Sequence, residues 1–79
     1  VSVYPNPTND HIVVSGKGVE KEIQIKVLDI LGREVLTDQI FPKNGTFKKE
    51  LNLIHFHSGL YFIHLKSSET SKTIKFYKN

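Results

Sequence analysis

Glu22-Ile23-Gln24-Ile25-Lys26-Val27-Leu28-Asp29-Ile30-Leu31-Gly32-Arg33-Glu34 is the stretch on which the fold turns. Ile23, Ile25 and Val27 alternate with Glu22, Gln24 and Lys26, and a period of two gives a strand with one buried and one wet face. Asp29 to Arg33 then reads as a tight hairpin. The Asp29 carboxylate can bond backbone amides ahead of it, and Gly32 is free to take the positive φ that closes a short loop. Glu34 to Phe41 returns as the partner strand.

The same alternation extends in both directions, interrupted by turn formers every 8 to 12 residues or so. Val1 to Tyr4 is a first short strand, stopped by Pro5 and Pro7 because each proline removes a ladder donor. His11 to Ser15 is a second, ended by a Gly16-Lys17-Gly18 turn, and Pro42-Lys43-Asn44-Gly45 is a further turn signal. Thr46 to Leu51 follows, then an irregular connection over Asn52 to Ser58. Leu60 to Lys66 is apolar on both faces, as a central strand between two layers is. Ser67 to Thr70 turns the chain into a last strand, Ser71 to Tyr77, with Ile74 and Phe76 inward and Thr73, Lys75 and Tyr77 outward. No segment carries the helical period. About seven short strands predict an all-β fold, an immunoglobulin-like antiparallel β-sandwich, with a partly open barrel as the second choice. The Cys, Trp, Cys pattern of antibody domains is missing, so the architecture is implied and not that superfamily. Residues 1–79 read as a single domain.

Size makes the core thin: a chain of 79 residues buries only about 60 to 65% of its unfolded surface. With no cysteine, a disulfide framework, a thiolate nucleophile and a Cys-based zinc site are excluded. No run approaches the roughly 18 to 20 apolar residues that span a bilayer, so no stable membrane insertion is expected. Val1 begins directly on strand-like sequence, so any export leader is expected on a longer precursor. The net charge of +3 is uneven. Residues 1–47 hold five basic and six acidic side chains, whereas residues 48–79 hold six lysines and two acids, and no acid follows Glu69. Lys72, Lys75, Tyr77 and Lys78 are therefore candidates for contact with an acidic partner. The alternative is that these lysines blunt an exposed sheet edge.

Chemistry is sparse. His55, His57 and His64 are the closest set of metal-ligand types, but no third ligand is fixed by spacing, and no metal or cofactor site is expected. Ser58 beside His57 lacks a nucleophile elbow, and two thin sheets leave little room for a cavity of the usual 300 Å³ or so, which argues against an enzyme. Asn44-Gly45-Thr46 matches a glycosylation sequon, which the Asn-Gly turn explains without a sugar. Nucleic-acid patterns are missing, and only Phe76-Tyr77 between Lys75 and Lys78 comes near an aromatic-basic arrangement.

Four groups of residues, in order, carry a resemblance. Tyr4-Pro5-Asn6-Pro7 stands before an apolar strand at Ile12 to Val14, and Val27-Leu28-Asp29 before Gly32-Arg33-Glu34-Val35. Gly59-x-Tyr61 with Phe62 and Ile63 precedes the lysine-bearing end from Thr73 to Lys78. Over nearly its whole length the chain resembles the type A C-terminal sorting domain of the type IX secretion system of Bacteroidetes. The resemblance implies a non-catalytic domain at the end of a secreted protein, reached in the periplasm and recognised, once folded, by an outer-membrane translocon. It further implies that the translocon passes an N-terminal cargo through to the cell surface or the medium. A sortase-like peptidase then usually removes the domain and anchors the cargo. On this reading Tyr4, Pro5, Asn6, Pro7, Asp29, Gly32, Arg33, Gly59 and Tyr61 shape the domain, and the last strand offers the edge a partner engages. The competing function is an accessory adhesion or carbohydrate-binding sandwich of a secreted enzyme, for which only Tyr4, Tyr61 and Tyr77 could serve as stacking platforms.

Overall fold

Each stretch of alternating apolar residues forms a strand in the computed structural model, which describes residues 1–68 and 70–79. The strands are β1 Ser2–Tyr4, β2 His11–Lys17, β3 Ile23–Leu28, β4 Glu34–Ile40, β5 Thr46–Asn52, β6 Gly59–Lys66 and β7 Ser71–Lys78. They pair antiparallel into a three-stranded sheet, β1-β2-β5, and a four-stranded sheet, β4-β3-β6-β7. No ladder among the described residues joins the two sheets, so the fold is the expected sandwich and not the barrel. Glu69, inside the turn expected over Ser67 to Thr70, lies outside the described residues.

The inward faces make the core. Ile12 and Val14 of β2 meet Ile23, Ile25 and Val27 of β3, Ile63 and Leu65 of β6 and Phe76 of β7. All eight are at most 2% exposed. Each such side chain contributes about 1.5 to 3 kcal/mol by leaving water, which is how a domain this small holds together. Leu53, fully buried, pins the irregular connection after β5.

Two hairpins follow turn chemistry. At the β3–β4 tip the Asp29 carboxylate accepts from the amides of Leu31 at 2.9 Å and Arg33 at 3.0 Å, and Gly32 takes φ +84°. The register slips between Val27 and Leu28, which pair with Leu36 and Glu34, leaving Val35 bulged out. At Lys43 to Thr46, Asn44 and Gly45 have φ of 53° and 76°, and the flanking residues exchange both backbone hydrogen bonds. This is the two-residue turn that Asn-Gly favours.

Two expectations need correction. Gly16 does not end a strand but lies within β2, opposite Phe47 of β5. A Cβ at Gly16 would stand 2.7 Å from the Phe47 ring, so the glycine is there to admit the ring over bare backbone. The outer face of β6 is not covered by a second layer: Leu60, Phe62 and His64 remain half-buried while Tyr61, Ile63 and Leu65 are buried. After β1 the chain changes sheets. Between Tyr4 and Thr8 it leaves the three-stranded sheet and runs beside the other, where Thr8 forms a parallel bridge with Lys78.

Candidate functional site

Strand β7 is an edge of the four-stranded sheet, paired on one side with β6 from Gly59↔Lys78 to Lys66↔Ser71. In an antiparallel ladder alternate residues point their N–H and C=O toward the partner. In β7 the groups of Ser71, Thr73, Lys75 and Tyr77 point the other way, and the contacts at Lys75 and Tyr77 bear this out. The Tyr77 amide donates to Asn6 Oδ1 at 3.0 Å, Asn6 Nδ2 donates to the Lys75 carbonyl at 3.3 Å, and the Thr8 amide donates to the Tyr77 carbonyl at 2.9 Å. The Asn79 amide donates to the Thr8 carbonyl at 2.8 Å, and the Asn79 side-chain amide to Asn9 Oδ1 at 2.9 Å. Thr8 itself is buried, and its hydroxyl donates to the His11 carbonyl.

The edge is thus divided. Its last part is closed by Asn6 and Thr8, and its first part, Ser71 to Lys75, keeps the outward groups of Ser71 and Thr73 and the Lys75 amide without a partner among the described residues. The last strand, expected to offer an edge to a partner, is thus open over its first part only. Asn6 is the residue whose role sequence reasoning could not supply. It acts on residues 69 and 71 positions away, and no local pattern reports such a contact.

Nor do the late lysines form one row. Residues three apart on a strand fall on opposite faces. Lys75 and Tyr77 lie on the outer face, while Lys72 and Lys78 share the side of Ile74 and Phe76, with Lys72 exposed at the rim. Lys78 is only 7% exposed, and its ammonium donates to the Asn79 carbonyl at 3.2 Å. Its side chain is packed into the closure, contrary to the expectation of a free charge. Tyr77 is 49% exposed.

Far from this edge, the other residues of the resemblance build turns and corners. Asp29 and Arg33 close the β3–β4 tip, where Arg33 Nε lies 2.8 Å from Asp29 Oδ2. The Asp29 carboxyl is held below the ordinary carboxylate range, first by the Arg33 backbone amide, then by the Arg33 guanidinium and the Leu31 amide, against an opposing desolvation. Gly59 opens β6, and two residues on the Tyr61 hydroxyl donates to the His57 carbonyl at 2.8 Å. The Tyr61 ring is buried between Phe56 and Phe76, with centroids at 5.2 and 5.7 Å. This is the tyrosine corner of sandwich folds, a hydroxyl tied to backbone a few residues upstream. Tyr61 is therefore no sugar platform, and Tyr4 and Tyr77 lie on different sheets.

Among the described residues, no three His, Asp or Glu side chains converge as metal ligands. His64 Nδ1 is 2.9 Å from the Thr73 hydroxyl, while His55 and His57 are exposed in the connection before β6. His11 is raised above its ordinary range chiefly by Asp10, whose carboxylate is 2.7 Å from Nδ1. The sandwich has more surface relief than its thin sheets promised. An open groove of about 800 Å³ runs past Tyr4, Lys17, Phe41 and Lys48, correcting the expectation that no cavity of ordinary ligand size fits.

A two-sheet sandwich with a tied-down amino-terminal segment and a half-open final edge makes this a small all-β module. The sequence model of the family "Secretion system C-terminal sorting domain" matches residues 2–79, and the chain belongs to that family, the type IX secretion C-terminal sorting domains. No curated protein matches the chain in sequence. Domains of this family are generally non-catalytic signals for export to the cell surface or the extracellular space, and they act with the secretion system on a cargo carried in cis.

Proposed function

We propose that this chain is a non-catalytic address, read in its folded state by the outer-membrane translocon of the type IX system at the open part of β7. The observation that carries this reading is the divided edge. Asn6 and Thr8 satisfy the end of β7, so the remaining outward backbone groups at Ser71, Thr73 and Lys75 form a short, bounded site. A partner strand added there gains main-chain hydrogen bonds, and the exposed Lys72 and Lys75 favour acidic residues on that strand. The Tyr77 ring offers apolar contact at the boundary, and Lys78 serves by locking the closure and not by meeting the partner. An N-terminal cargo crosses the periplasm and then the outer membrane with this domain attached. A sortase-like peptidase removes the domain, and the cargo is anchored or released.

Truncating Lys72 to Asn79 would strand cargo but would also remove Phe76 from the core, so a substitution that leaves the core alone is the sharper test. The Thr73 amide points outward, and proline there removes a donor that no described residue uses. On a secreted fluorescent fusion, Thr73→Pro is expected to fold with a near-native melting curve yet to leave the cargo in the periplasm. Thr73→Val, which keeps the amide, is expected to be exported. Normal export of a folded Thr73→Pro fusion would remove β7 as the recognition edge.

A further inference from the structure

The groove past Tyr4 and Phe41 lies between the three-stranded sheet and the β4–β5 connection, shares no lining residue with the β7 edge, and is independent of the proposed address. Its floor is partly apolar. Phe41, 66% exposed, and Tyr4, 43% exposed, are large rings open to water beside the buried Phe47. Its rim carries Lys17, Lys43 and Lys48, all exposed, and no carboxylate lines it among the described residues. None of the three lysines forms an ion pair with a described residue, whereas Lys26 and Lys49 each have an acidic neighbour within 4.0 Å. Three unmatched cations around exposed aromatic surface select an anionic partner with apolar groups of its own.

The placement of the charges narrows the partner further. Lys48 pairs with Ser15 and Thr46 with Lys17, so Lys17 and Lys48 are diagonal neighbours on the outer face. Such neighbours stand about 7 to 8 Å apart. In an extended chain, side chains on one face recur every 6.4 to 6.8 Å or so. A strand with an acid at every second residue therefore sets successive carboxylates over Lys17 and Lys48, while its intervening side chains turn away from the groove. We propose that this groove binds an extended acidic segment of a partner protein in which a carboxylate stands at every second residue.

The test is a fluorescence-anisotropy titration of a labelled seven-residue peptide alternating glutamate with leucine against the 79-residue chain. Saturable binding is expected, weakening with added salt. It should fall about tenfold or more in the double variant Lys17→Glu, Lys48→Glu, whose exposed sites leave the melting curve unchanged. A peptide of the same composition with its glutamates in one block should bind more weakly. Equal binding of blocked and alternating peptides would overturn the proposal, as would wild-type affinity in the folded double variant. Two further results would overturn it: capture of a heparin tetrasaccharide but not of the peptide, which assigns the groove to an anionic glycan, and concentration-dependent dimers lost in the double variant, which assign it to a second copy of the chain.

Discussion

Asp29 shows how one side chain can set a hairpin. Its carboxylate accepts from two backbone amides and a guanidinium, so folding favours the ionised form and its pKa lies below the ordinary value. The unfolded chain then binds the proton more readily. The stabilisation is fully present above about pH 4, the ordinary carboxylate value, and is lost as pH falls through the depressed folded value. Asp29→Asn keeps the amide acceptor but not the charge, so it is expected to melt at lower temperature than the wild type at neutral pH. The gap should close as the pH is brought down toward 2 or so. A gap unchanged across that range in thermal unfolding would contradict the assignment. This hairpin was legible in the sequence because its parts are local: Asp29, Gly32 and Arg33 act within five residues of chain. Gly16 was not, since its neighbour Phe47 lies across the sheet and a glycine in sequence looks the same in a turn or under a ring.

At the scale of elements, the fold's decisive contact is the switch of the amino-terminal segment from one sheet to the other. Asn6 imitates a short stretch of strand, accepting from Tyr77 and donating to Lys75, and Thr8 completes the imitation. The Tyr77 amide should therefore exchange with solvent deuterium more slowly than the amides of Thr73 and Lys75 on the same side of β7. Asn6→Ala should raise the Tyr77 rate about tenfold, the scale of one net hydrogen bond, while the other two change little. Equal rates at Tyr77 and Thr73 in the wild type, read by NMR, would mean that the edge is not closed. The strands themselves were readable because alternation is visible in a single chain, and even the split of the lysines between faces follows from their spacing of three. The closure was not readable, because Pro5 and Pro7 announce only that β1 stops and say nothing of where the chain goes next.

For the whole molecule, the two sheets carry different surfaces. The four-stranded sheet has the open edge and the exposed Tyr77, and the lysine-rimmed groove lies between the three-stranded sheet and the β4–β5 connection. Bounded, chemically distinct surfaces suit the signal role that the family membership indicates. Sequence reading reached the architecture and the family because both rest on pattern over the whole chain. It proposed a contact edge only to within a strand, since which part of an edge stays open depends on what else the fold lays against it. The most direct test of the address is to fuse Val1 to Asn79 to the C-terminus of a fluorescent protein with an export leader. Fluorescence is then followed in a host with a type IX system and in the same host lacking its outer-membrane translocon. Fluorescence is expected at the surface or in the medium only when the translocon is present; retention of the folded fusion in the periplasm of both hosts would rule out the address.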